Sequence, residues 1–504
     1  MLTRRELFAS ALALGASNPL PVRAQKGWAA NPFSLGIASG EPLPDGIVLW
    51  TRLAPKPLEG GGMPNENVEV KWVIAEDEKL ERASLRGTVM ATPALAHSVH
   101  VEAEGLTPER WYFYRFEAGG EASSVGRFRT APQASSEPAR LRLGVASCQQ
   151  WTQGLFTAYQ HMAAEDLDLV LHLGDYIYEQ GYGGKIRPEG QAETFTLDDY
   201  RNRHALYKTD PLLQKAHQHF AWATVWDDHE VSNNYANDVQ EDGDPRDEFL
   251  KRRASGYQAY YEHLPLRRAS IPKAHEMALY RRFDFGRLAR IHMLDTRQYR
   301  TDQACGDRLR PACKDLESES QTLLGQAQEK WLGDGIRSSK AVWNVLGQQI
   351  LFTLQDFDPG PTEMFNMDSW SGYPLARKKL VSTIEQLNRA VVVLTGDVHA
   401  SWVGQVHTEP LNTKSKCVAA EFVGTSISSG GDGADTTPRA ETMLPANPQI
   451  KYFNGRRGYI RCEVTPQTWR ADYRLLDFVS KPGSPIATKA SFVVEPRDLN
   501  VKRA

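Results

Sequence analysis

Residues 166–178 read DLDLVLHLGDYIY, and this stretch decides how the rest of the chain is organised. Its centre, residues 169–174 (LVLHLG), has the apolar character of a buried strand, which a glycine ends immediately before Asp175. In open α/β sheets ligands bind beyond the carboxyl ends of the strands, where this arrangement delivers its carboxylate. Tyr178 follows three residues later, a spacing that brings two side chains to the same side of a helical turn. Taken alone, the stretch fits either a metal-binding carboxylate and phenol or a helix cap with a packed tyrosine.

The same design recurs downstream. Residues 390–395 (AVVVLT) form a second apolar, β-branched run and lead into Gly396-Asp397-Val398-His399, where Asp397 and His399 share a face if the chain stays extended. Residues 221–226 (AWATVW) end in Asp227-Asp228-His229-Glu230, and residues 288–294 (LARIHML) end in Asp295-Thr296-Arg297. Residues 141–146 (LRLGVA) end in Ser147-Cys148-Gln149. Several strands ending in acids and histidines suggest two halves of one dinuclear site, because carboxylate, imidazole and phenolate all bind hard or borderline ions.

Thr3-Arg4-Arg5-Glu6-Leu7-Phe8 places twin arginines before an apolar run, 7–14, too short and weak to span a bilayer, and Val22-Arg23-Ala24 offers a cleavage site. Residues 1–26 are therefore read as a twin-arginine export signal, with the export machinery as a partner and the periplasm or exterior as destination. An oxidising compartment favours disulfides. Of five cysteines, Cys305 and Cys313 flank a short polar loop, Cys417 and Cys462 lie in strand-like surroundings, and two bridges are expected from these pairs. Cys148 is left over at a strand end, either a buried bystander or a metal thiolate.

The 504 residues leave room for more than one domain, and 41% apolar and 24% charged residues are ordinary globular values. A net charge of −3 gives no nucleic-acid or acidic-membrane signature. Short alternating runs separated by Pro- and Gly-rich turns predict a β-sandwich over 27–132, followed by a linker at 133–139. Strands then alternate with helices, among them 154–165 and 197–207, through an expected catalytic domain of 140–480, and 481–504 is read as a tail. A monomer is expected.

With GDYIY, WDDHE and GDVH assembled, the chain resembles the calcineurin-like metallophosphoesterases, and within them the PhoD-like alkaline phosphatases and phosphodiesterases, which share the twin-arginine signal, SCQ, GDYIYE, DDHE and GDVH. The resemblance implies an α/β fold, a four-layer sandwich of two mixed β-sheets flanked by helices, with an N-terminal immunoglobulin-like domain. It implies that Asp175 bridges two metals, that Cys148, Tyr178 and His399 complete a site for Fe3+, and that Asp228 and Asp397 serve Ca2+. Asp227 could replace Asp228, and Asn234 would be an oxygen ligand or a supporting group. The expected reaction is hydrolysis of phosphate mono- or diesters by a metal-bound hydroxide, with His229 protonating the leaving group or stabilising the phosphoryl oxygens and Arg297 neutralising a phosphoryl oxygen. A phospholipase D-type phosphodiesterase and an inactive binding protein of the same fold are the alternatives. His172, His217, His219 and His407 are left out of the site, and Tyr257, Tyr260 and Tyr261 are read as helix packing.

Overall fold

The computed structural model describes residue 28 and residues 30–504, so the expected export signal at 1–26 lies outside the described residues. Two mixed sheets face one another. The first contains ten strands in the order Asp498–Arg503, Ile486–Glu495, Trp469–Leu476, Gly458–Val464, Leu141–Ala146, Leu169–Leu173, Ala221–Val225, Ile37–Gly40, Gly46–Arg52 and Ser98–Glu104. Its four central strands, from Leu141–Ala146 to Ile37–Gly40, run parallel. The second sheet contains seven, in the order Arg281–Phe285, Ala289–Met293, Trp343–Gln348, Ala390–Thr395, Cys417–Val423, Ser401–His407 and Ile450–Asn454. Its parallel run extends from Ala289–Met293 to Cys417–Val423.

The parallel strands read as continuous apolar runs because both of their faces are covered; every residue of Leu169–Leu173 and Ala390–Thr395 is buried. Pro211–His219 and Arg246–His263 pack on the first sheet. Local sequence sets where helices begin. Thr196 and Asp199 form a capping box before Leu197–Lys208. Asp210 accepts from the N–H groups of Leu212 and Leu213, and Pro211 occupies the first turn. Gly325–Ser338 and Pro374–Leu387 build a separate apolar layer with the second sheet, in which Leu332, Ile336, Leu380 and Ile384 meet Leu346 and Val393.

Several expectations are corrected. The segment 481–504 is no tail, since it supplies the strands Ile486–Glu495 and Asp498–Arg503 at the edge of the ten-stranded sheet. The expected sandwich at 27–132 is not sealed off from the rest. Its Ile37–Gly40 strand pairs in parallel with Ala221–Val225, so one of its layers continues the large sheet, while Val68–Ala75, Ala83–Ala91 and Trp111–Ala118 form the core of a separate five-stranded sheet. Cys305 and Cys313 are bonded, but Cys417 and Cys462 are free thiols because their strands belong to different sheets. The helix expected at 154–165 is confined to Thr157–Met162, and Gly154 is extended backbone.

Candidate metal centre

The residues singled out by sequence lie just past the carboxyl ends of parallel strands. Cys148, Asp175 and the Asp227-Asp228 pair follow three neighbouring strands of the first sheet, while Asp397 and His399 follow a central strand of the second. Each chain must turn sharply there. Cys148, Asp175, Asn234, Asp397 and His399 all have φ between 51° and 58°, a region that costs a non-glycine residue of order 1–3 kcal/mol and clusters at functional sites. Close approach explains two glycines. A Cβ on Gly174 would lie 2.4 Å from that of Asp227, and one on Gly396 would lie 3.0 Å from the carbonyl oxygen of Leu173 on the facing sheet.

Three overlapping groups result: Cys148, Asp175 and His399; Asp175, Asp228 and His229; and Asp227, Asp228 and Asp397. Within each, one donor atom per residue lies within 4.8 Å of the others. Asp175 is common to the first two groups and Asp228 to the last two, so the three form one continuous cluster. Cys148 and Asp175 are each only 1% exposed, yet Asp175 Oδ1, Asp227 Oδ2 and Asp228 Oδ1 are buried without a hydrogen-bond partner among the described residues. Buried carboxylate oxygens ordinarily find partners, and leaving one unsatisfied is costly. The donor set fits cations, with sulfur, phenol and imidazole on one side of Asp175 and mostly carboxylates on the other.

Hydrogen bonds fix these donors. Tyr178 Oη donates to Asp175 Oδ2 at 2.7 Å and lies 2.9 Å from His399 Nε2. Ser429 Oγ sits 2.8 Å from both the Tyr178 hydroxyl and the Cys148 carbonyl. Arg457 ties the His399 carbonyl to Ser426. Glu230, fully buried, accepts the N–H groups of Tyr176 at 2.6 Å, Asp175 at 3.2 Å and Asp227 at 2.8 Å, and so clamps the turns carrying Asp175 and Asp227 together. Asn234 donates its backbone N–H to Asp228 Oδ2 at 2.8 Å, while its side-chain amide lies 3.4 Å from Glu241.

Arg297 is placed otherwise than expected. It is fully buried, Nε donates to Asp227, Nη1 donates to Asp368 at 3.0 and 2.9 Å, and Nη2 lies 3.6 Å from both Asp228 and Asp397. It therefore holds acids together beneath the site and presents no face to solvent. His229 lies beside the Tyr178 ring, with centroids 4.2 Å apart, and its Nδ1 is 2.7 Å from Glu179 Oε2, which leaves Nε2 free. Tyr182 Oη donates to the other oxygen of Glu179 at 2.6 Å.

Charge crowding among these buried groups is severe. Burial first, then Asp175, drives the Cys148 thiol well above its ordinary range, and the same two causes raise the Tyr178 phenol. A bound cation would have to displace both protons. Burial opposes protonation of His229, but the carboxylates of Asp228 and Glu179 outweigh it and raise that imidazole well above its usual value.

Sequence reasoning missed Glu179, Glu230, Asp368, Ser429 and Arg457. Glu179 and Glu230 close the GDYIYE and DDHE motifs and were within reach, whereas Asp368 and Ser429 come from loops without a strand signal. The histidines set aside are accounted for: His172 is a core residue near Trp222 and Tyr176, and His217 bonds the Tyr176 hydroxyl. Tyr257 stacks on Trp226 at 4.0 Å.

The two facing mixed sheets make an α/β fold whose strand ends converge on one acid-rich crevice, the arrangement of a phosphatase. The sequence profile of the PhoD-like phosphatase matches residues 143–473, and that of the PhoD-like phosphatase N-terminal domain matches residues 19–132. The chain belongs to the PhoD-like phosphatase family. Alkaline phosphatase D of Bacillus subtilis (strain 168) is 50% identical over 489 residues, covering 96% of this chain and 84% of that protein. A solved structure titled "Structure of PhoD" superposes with a TM-score of 0.94 at 50% identity, covering 95% of this chain and 93% of that one.

Proposed function

We propose that the protein is an exported phosphoesterase that hydrolyses phosphate mono- or diesters at a pair of cations sharing Asp175. Cys148, Tyr178 and His399 would complete a site for Fe3+, since thiolate and phenolate favour the ferric state; Asp228 and Asp397, with Asp227 or Asn234 in support, would hold Ca2+. The observation that carries this reading is the shared Asp175, with one donor group on either side and an unsatisfied buried oxygen of its own. When bound, the cations would supply Lewis acidity and offset the charge on the phosphoryl oxygens.

The chain's own residues would do the rest. Cys148, Asp175 and Asp228 are buried, while the side chains of His399 and Asp397 are 36% and 25% exposed, so the ester would enter over Asp397 and His399. His229 Nε2 would hold the proton for the departing oxygen, with Glu179 on Nδ1 fixing the ring. Arg297 would act by positioning Asp227, Asp228 and Asp397 rather than by touching phosphate. Export by the twin-arginine route to the periplasm or exterior is supported by Arg4-Arg5 and by the Cys305–Cys313 bridge. Among the described residues no helix is long and apolar enough to cross a membrane.

A panel of nitrophenyl phosphate mono- and diesters tests the proposal. Turnover that His229→Ala lowers by roughly 10²-fold or more is expected; absence of hydrolysis of every ester by the metal-loaded protein would leave only a binding role.

A further inference from the structure

Tyr182 belongs neither to the buried apolar core nor to the candidate metal-ligating groups. It is a non-glycine residue at φ 46°, a strained conformation, and it keeps 40% of its surface exposed. Its segment is pinned at both ends. Thr152 Oγ1 donates to the Gly181 carbonyl at 2.6 Å, and the Ile186 N–H donates to the Thr152 carbonyl at 2.8 Å. The ring stands edge-on to His229, with centroids 5.2 Å apart at 74°, and to Tyr178 at 6.2 Å and 82°. Its hydroxyl is held by Glu179, which also holds His229. The backbone strain is thus borne to keep an aromatic ring fixed, partly in water, beside the His229 imidazole.

We propose that Tyr182 is a specificity-determining residue whose exposed ring receives the alcohol moiety of the ester, and that the preferred substrates carry an aromatic or other planar apolar alcohol. The inference rests on the phosphoesterase reading of the same site. An alcohol leaving phosphorus next to His229 emerges against this ring, and a planar group gains offset or edge-to-face contact that a small polyol does not. The hydroxyl, committed to Glu179, takes no part in that recognition.

The test compares 1-naphthyl phosphate with glycerol 3-phosphate on the metal-loaded protein. Tyr182→Asn removes the ring while tolerating the left-handed backbone, and Tyr182→Phe keeps the ring. The naphthyl-to-glycerol ratio of kcat/KM is expected to fall roughly tenfold in Tyr182→Asn, through KM for the naphthyl ester. The ratio should stay within about twofold of the parent in Tyr182→Phe, which retains the stacking face. Thermal unfolding of both variants separates recognition from misfolding, and Tyr182→Trp, which should keep or raise the ratio, provides a second test. An unchanged ratio in a folded Tyr182→Asn protein overturns the inference alone. Failure of the parent protein to hydrolyse these two monoesters and every diester of the nitrophenyl panel overturns the inference and the phosphoesterase reading together, whereas activity on the diesters alone overturns the inference and leaves that reading standing.

Discussion

Cys148 and Glu230 show two ways in which one residue governs the centre. Cys148 is a buried thiol whose acidity is suppressed by burial and by Asp175, so only a cation gives its sulfur an anionic role. Cys148→Ser should lose most bound iron and activity while the Cys305–Cys313 bridge stays intact, as thiol titration and elemental analysis would show; full iron content in that variant would make the sulfur a bystander. Glu230 accepts three backbone N–H groups from the turns carrying Asp175 and Asp227. Glu230→Gln must turn an NH2 group toward at least one of those donors, so a loss of about 1–3 kcal/mol in urea denaturation is expected, with weaker metal retention. At this scale the sequence was informative where a side chain sits at a strand end: Cys148, Asp175, Asp228, Asp397 and His399 could all be read that way. It was silent on Asp368, which reaches Arg297 across a separation of 71 residues. It could not distinguish the two settings of Arg297, because a basic residue at a strand end looks the same whether it faces phosphate or, as here, buried acids.

Elements were legible in proportion to how strongly their pattern was imposed locally. Apolar runs bounded by glycine gave the parallel strands, whereas Ile486–Glu495 begins Ile-Ala-Thr-Lys-Ala, too polar to read as a strand until its pairing with Trp469–Leu476 is known. The helix Leu197–Lys208 matches the one expected at 197–207, but its last residue does something no pattern announces. Lys208 is 2% exposed and carries no acid partner among the described residues; its ammonium lies 3.1 Å from Tyr176 Oη and 4.3 Å from the centre of the Trp50 ring. Burial pulls its pKa down to about 7. The folded state therefore binds fewer protons than the unfolded chain between pH 7 and the ordinary lysine value, and this group makes stability rise with pH across that window. The slope is about 1.4 kcal/mol per pH unit. Lys208→Met is expected to stabilise the protein most below pH 7 and to lose that advantage toward about pH 10. Denaturant midpoints at pH 6 and pH 10 would check the sign, and an equal effect at both would show that Lys208 is not the source.

For the molecule as a whole, the division into a sandwich and a catalytic domain describes the sequence better than the fold. Ile37–Gly40 covers the edge of Ala221–Val225, the strand that leads to Asp227 and Asp228, and His100 bonds the carbonyls of Tyr261 and Leu264 across the same junction. A chain beginning at residue 133 would expose that edge and is expected to be insoluble or to lose its cooperative transition, as circular dichroism would report; a fully cooperative fragment would restore the independent domain. The ten-stranded sheet thus couples both ends of the chain to the centre. The central claim, two cations meeting at Asp175, is tested most directly by elemental analysis of gently purified protein combined with its visible spectrum. About one iron per chain, accompanied by calcium and a thiolate or phenolate charge-transfer band that Cys148→Ser alters, is the predicted result; a folded, colourless protein without iron that still hydrolyses phosphate esters would contradict it.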